Sequence, residues 1–498
     1  MEALRTEIVL GFVVAYMGAC IGVGIWAMRR TRSTRDFFMA GRDIGIVVTG
    51  LAIFSSTMSG FGFVGGPGLV YSMGIASIWI VLTGAAGWGV NDFLIAKRLR
   101  MFAGFFDTVS LPDAVAARYG NETTRLLTAL AILLGVMGYL ATQILAMATV
   151  LQSILQATAT FTEVSLAACV VVSLSVLLFY CVTGGILASV YTDVFQGSVM
   201  IVAAVLVFIA AWVALPGGPT EVMQTIAADD PEAAGPWGTM GIIGCMSWMF
   251  MFAVGVAGQP HLLTKSMMIQ RLRDYRWVPA LTVFGYMVAS LLWVGIGLVM
   301  RALVLQGAHP ELATADAAAP EFLQNYAHPL LAGVVIAGLF AAIMSTADGF
   351  LNIGAAAIVH DIPNALRGRS LERELFWART GTVIIGVAAA AFALYSHYQN
   401  ARLVALLGAF GWGTFAAALV PVVAIGFNWK RATALAANTA VATSLVINFT
   451  VELFNITLPH NIHGGTLALL VSLLLFFGIS LASPAPQLDP DVEALMDL

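Results

Sequence analysis

The sequence predicts an all-α integral membrane protein of about 13 transmembrane helices, and three observations carry that expectation. Of its 498 residues, 60% are hydrophobic and only 10% are charged, where an ordinary soluble domain carries about 25% charged residues. Apolar runs long enough to cross roughly 30 Å of hydrocarbon recur through almost the whole chain. The basic residues gather in alternate connecting segments, as the positive-inside rule requires of a membrane protein with several spans.

The first run, about 8–28, ends in Arg29 and Arg30 and has no small-residue cleavage site, so it reads as a retained anchor rather than a signal peptide. The second, 46–73, holds Gly60, Gly62, Gly65, Gly66, Pro67 and Gly68 within nine residues, just after Ser55, Ser56, Thr57 and Ser59. A helix interrupted at that depth leaves carbonyl groups to be satisfied, which is tolerated only against protein or a cavity. The remaining spans fall at 76–96, 126–150, 164–183, 186–215, 238–259, 277–300, 330–358, 380–397, 403–427, 432–453 and 465–482. With the N-terminus outside, only Arg5, Arg301 and Arg402 of the 23 Lys and Arg residues face outward. The other side collects the rest, Arg42 and Lys265 among them, and places the C-terminus in the cytoplasm. The localisation expected is therefore the plasma membrane, crossed many times.

Other classes are set aside on chemistry. Cys20, Cys169, Cys181 and Cys245 all lie in apolar runs, so neither a disulfide nor a thiolate metal site is expected. The seven histidines show no metal-ligand spacing, and Asp361 with the basic run to Arg379 reads as a solvated loop. No span contains paired acids or a nucleophile–base spacing, so the chain is not expected to be an enzyme. The lipid bilayer is its expected partner, with no nucleic acid and no obligate protein partner.

The stretch 341–352 carries the sharpest signal. It sets the hydroxyls of Ser345 and Thr346 and the carboxylate of Asp348 into a segment apolar enough to span. A charged side chain at such depth costs about 2.5–3.5 kcal/mol on insertion scales and marks function by default. Hydroxyl and carboxylate oxygens suit a hard cation such as Na⁺ once it has shed water; the alternative is a hydroxyl-rich packing seam.

Taken together, these residues resemble the sodium:solute symporter family, which includes proline, pantothenate and sugar transporters. The likeness runs through 36–42, Ser56 to Gly60 with Gly66 to Gly68, Gly184 and Gly185 with Thr192 to Gln196, Gly258 to His261, and Met344 to Asp348. It implies a 5+5 inverted-repeat core with discontinuous helices: an anchor and loop at 1–44, a first repeat at 45–215, an external loop at 216–237 and the inverted repeat at 238–427. Two peripheral helices at 428–482 and a tail at 483–498 complete it. Such repeats place ion and solute near the midplane.

The resemblance implies a main Na⁺ site between the second and ninth spans. Its ligands would be the carbonyls of Ser55, Met58 and Ala342 and the hydroxyls of Ser345 and Thr346. Asp193 resembles an acid on the sodium exit path or at a second ion site, against the alternative of a carboxylate near the cytoplasmic end of its helix. Asp348 could replace a hydroxyl ligand, hold a proton or be structural. Arg42 resembles an arginine linked to ion coupling, or is a positive-inside anchor. Solute contacts would come from Ser59, Gly60, Tyr139, Gln143, Phe252 and Val256. Where the proline branch has an aspartate, a tryptophan and a tyrosine, this chain has Thr57, Phe252 and Val256. The function implied is Na⁺-coupled symport of a small polar organic solute of the amino acid or carboxylate class. An H⁺-coupled symporter of the same fold and a solute-sensing receptor are the alternatives.

Overall fold

Nearly uniform apolar composition favours elements whose backbone hydrogen bonds close within themselves, and helix is the regular structure throughout. The computed structural model describes residues 5–498 apart from 43, 159, 370 and 401–403, with side chains at 399, 400 and 404–407 also left aside. Arg402, expected to face outward, lies outside the described residues.

The principal helices are α1 (Arg5–Met28), α2 (Ile46–Thr57), α3 (Gly66–Met73), α4 (Ile78–Asn91), α5 (Glu122–Gln156), α6 (Leu166–Val213), α7 (Gly241–Gly255) and α8 (Pro260–Ser266). They continue as α9 (Val278–Ala289), α10 (Leu291–Leu305), α11 (Pro329–Ala356), α12 (Glu374–Asn400), α13 (Val404–Leu419), α14 (Ala434–Leu453) and α15 (Gly464–Ala482). Eleven continuous helical stretches among the described residues are long and apolar enough to cross a membrane, and the protein is multi-pass. Two of these stretches, Phe61–Phe105 and Leu166–Val213, each take in residues from more than one expected span. A straight helix of the second length would run about 72 Å at 1.5 Å per residue, over twice a hydrocarbon core. It turns instead at Gly185, whose φ of 56° and ψ of −148° suit glycine alone.

Two helices are interrupted where the chemistry gathers. Helix α2 ends at Met58 (φ −89°, ψ 68°), and the chain resumes through a wide turn at Phe61–Gly65 into α3. The glycines here permit close approach: a β-carbon on Gly66 would come 2.4 Å from the Trp293 ring. Helix α7 gives way at Gln259 (φ −79°, ψ 105°) to α8, opened by Pro260, a residue suited to a first helical turn.

Helix α11 is the axis of the packing. Every residue from Val335 to Ala357 is buried, and the helix lies against α1, α2, α5 and α6. The four cysteines are buried and free.

Two expectations about charge are corrected. Lys265, expected in a polar connecting loop, is 1% exposed, because α8 folds the chain back into the core after the break at Gln259. Asp361 is fully buried and accepts a short hydrogen bond from Ser110, so it is no part of a solvated loop. Arg42, read as a coupling residue or a positive-inside anchor, pairs with Asp107 at 2.8 Å and donates to the Thr108 carbonyl.

Candidate functional site

The break after α2 and the middle of α11 meet side by side. The Ser345 hydroxyl lies 3.1 Å from the Ser55 carbonyl and 2.9 Å from that of Ala342. The Thr346 hydroxyl lies 2.9 Å from the Ser56 carbonyl and 3.2 Å from Ala342. Ser56 in turn donates its hydroxyl to the Ser345 carbonyl at 2.9 Å. Ser55, Ser56, Ala342, Ser345 and Thr346 are all within 1% of full burial. The Met58 amide donates to the Ser55 carbonyl at 3.2 Å, which sets Met58 at the edge of the same cluster. The result is a dry knot of uncharged oxygens, the donor set a weakly held monovalent cation requires.

Beside it lies a charged pair. Lys265 Nζ sits 2.7 Å from the Asp193 carboxylate, with side-chain exposures of 1% and 0%, and it also donates to the Ser56 hydroxyl. The second Asp193 oxygen accepts from Ser55 at 3.2 Å. Asp193 is thus deep in the protein rather than capping a helix end. Asp348 is separately satisfied, by Ser189 at 2.6 Å and Tyr180 at 3.0 Å. Sequence reasoning missed Lys265, since its sign and its place between apolar runs match a loop anchor.

The expected solute residues divide into two groups. Tyr139, Phe252 and Val256 line a tight pocket of about 10 Å³, room for about one water, with Thr57, Phe61, Trp88, Tyr286, Trp293 and Trp412. Ser59, Gly60 and Gln143 stand behind that wall: the Ser59 hydroxyl is 3.1 Å from Tyr139 Oη, and the Gly60 amide donates to Gln143 at 2.6 Å. Phe252 stacks between Trp248 and Trp412 and on Phe61. Among the described residues no charged side chain lines the cavity, but the buried Trp293 Nε1–H has no hydrogen-bond partner. The tryptophans were missed because a tryptophan in an apolar run signals packing equally well.

A second polar cluster lies near the Arg-rich loops. His360 bridges Asp113 at 2.8 Å and Glu374 at 2.5 Å, and Arg125 also pairs with Asp113. The ring and both carboxylates belong to a short helix (Leu111–Tyr119), the turn after α11 and the start of α12. The histidine spacing gave no hint of this, because its acidic neighbours come from segments far apart in sequence. Burial raises the Asp113 carboxyl, but the hydrogen bond and charge of His360 with the charge of Arg125 prevail and hold it below its ordinary value.

Broken helices meet around this oxygen knot, with an aromatic-lined pocket alongside, an arrangement expected of a membrane carrier. The model of the sodium:solute symporter family matches residues 37–443, and the chain belongs to that family. It is a Na⁺-coupled solute symporter, a transporter and not an enzyme. It is 29% identical over 442 residues to a sodium/proline symporter of Escherichia coli (strain K12), covering 86% of this chain and 85% of the relative. It is 28% identical to the high-affinity proline transporter PutP of Bacillus subtilis (strain 168), covering 85% and 89%. The structure of a Na⁺-coupled sialic acid symporter in a substrate-bound outward-open state superposes with a TM-score of 0.78 at 20% identity, over 96% of this chain and 99% of the other. That likeness speaks to the fold alone.

Proposed function

We propose that the protein carries a small organic solute of the amino acid or carboxylate class into the cell with Na⁺, by alternating access between the two five-helix repeats at 45–215 and 238–427. The observation that carries this reading is the meeting of Ser345 and Thr346 with the carbonyls exposed at the end of α2. Na⁺ would take these hydroxyl oxygens with the carbonyls of Ser55, Ala342 and Met58. Binding there would tie α11 to the broken helix and favour the solute-ready state. Coupling of that kind is reciprocal, so solute and ion raise each other's affinity.

The relatives transport proline by name. In this chain Thr57, Phe252 and Val256 line a cavity without a charged wall. These three replace an aspartate, a tryptophan and a tyrosine of the proline branch, which argues against proline itself as the cargo. Trp293 Nε1–H supports a carboxylate-bearing solute, since it is a buried donor with nothing to bond, and such a group costs free energy until it is paired. The aromatic wall suits an apolar body on that solute. The one-sided basic residues support a plasma-membrane protein with its N-terminus outside.

A panel of amino acids and carboxylates, tested for uptake into proteoliposomes under an imposed Na⁺ gradient, tests the reading. Na⁺-dependent accumulation of one class supports it. Solute binding with no flux would point to a sensor, and uptake that follows a proton gradient and ignores Na⁺ would reject the ion.

A further inference from the structure

We propose that the Lys265 ammonium is a tethered cation filling a second cation position beside Asp193, so that this carrier moves one Na⁺ with each solute. The proposal rests on the Na⁺-symport reading above and specifies its stoichiometry. The position is made of oxygens: the Asp193 carboxylate at 2.7 Å from Nζ and the Ser56 hydroxyl, with the Ser55 hydroxyl on the other carboxylate oxygen. That is alkali-cation chemistry with one negative charge, and the ammonium supplies the one positive charge that balances it. Both side chains are cut off from water, so neither charge can be left unmatched.

Ser55 and Ser56 belong to both places. Their carbonyls face Ser345 and Thr346, while their hydroxyls serve Asp193 and Lys265. A second Na⁺ at Asp193 would therefore meet the ammonium at contact distance. The other charged or titratable groups near Lys265 do not offer an alternative pairing. Asp348 on α11 is held by Ser189 and Tyr180, and His261 lies one turn earlier on α8 itself.

The test counts ions on the purified full chain by radioactive Na⁺ binding, and in proteoliposomes by charge moved per solute. The wild type is expected to bind one Na⁺, with a Hill coefficient of about 1 for Na⁺ activation. Lys265→Met leaves Asp193 bare and is expected to bind two. Lys265→Arg keeps a cation there and is expected to bind one. Lys265→Met with Asp193→Asn removes both charges and is expected to return the count to one; where Lys265→Met does not fold, Lys265→Gln, expected to bind two, takes its place. Two Na⁺ on the wild type, or one on a monodisperse Lys265→Met protein, overturns the proposal and leaves the symport reading standing. No Na⁺ on the wild type overturns both.

Discussion

The hydroxyl of Thr346 lies 2.9 Å from the carbonyl of Ser56, although 290 residues separate them in the chain. Neither group is unusual alone. Their meeting depends on α2 stopping one turn before its glycines and on α11 threading the centre of the packing, so that an exposed carbonyl and a mid-helix hydroxyl share one dry space. An ion bound at this contact would engage both helices at once.

Replacing Ser345 and Thr346 together by Ala is expected to raise the half-saturating Na⁺ concentration at least tenfold, about 1.4 kcal/mol. Uptake measured against Na⁺ at fixed solute reads this directly, with size-exclusion elution confirming the fold. Unchanged sodium dependence rejects the assignment of these two ligands.

Trp293→Phe keeps an aromatic ring beside Gly66 while removing the unpartnered N–H and shortening the indole to a phenyl. A hydrogen bond to a charged group contributes about 1.5–3 kcal/mol, so the half-saturating solute concentration should rise by about tenfold or more at saturating Na⁺. An unaltered value would mean that the indole nitrogen does not touch the solute.

Arg42 and Asp107 form an unequal pair. The Arg42 side chain is 4% exposed and that of Asp107 is 66% exposed. Asp107→Ala should therefore cost little stability, about 0–1 kcal/mol, and barely move the thermal midpoint. Arg42→Ala also deprives the Thr108 carbonyl of its donor and leaves a hole in the packing, so it should cost clearly more. Equal midpoints for the two variants in detergent would contradict this.

Asp113 gives the stability a pH dependence. Its carboxyl is held below the ordinary value by His360 and Arg125, so the folded state binds its proton less readily than the unfolded chain. The resulting stabilisation is present above the unfolded value of about 3.9 and is lost as the pH falls through the lower folded value. Thermal midpoints should fall on acidification below about pH 4 in the wild type, and less steeply in Asp113→Asn. Parallel curves would show that Asp113 adds nothing.

The helical architecture was legible because hydropathy and charge sign act locally: a long apolar run with arginines at one end reads the same in any fold. Ser345 and Thr346 were legible for a related reason, since hydroxyls beside Asp348 stand out in an apolar segment. Lys265 was not. Whether a lysine after an apolar run reaches water or turns inward depends on the break at Gln259 and on an acid 72 positions earlier, and neither is visible from its neighbours. The cluster of Asp113, His360 and Glu374 was hidden in the same way. The cavity wall is half legible: Tyr139, Phe252 and Val256 came from the likeness to the proline branch, whereas Trp88, Trp293 and Trp412 converge only once their helices are packed.

The corner at Gly185 has its own consequence. A side chain there would collide with Phe37, whose ring and carbonyl both lie 2.6 Å from a β-carbon, so the bend is fixed by shape as well as by torsion. Tyr180 stands on one arm of that bend and Ser189 on the other, and both grip Asp348. One carboxylate thus rivets two membrane-crossing rods to the central helix. The arms cannot swing apart without stripping an acid of its hydroxyl partners where no water can replace them. The half bearing Asp193 is therefore expected to move together with its neighbour.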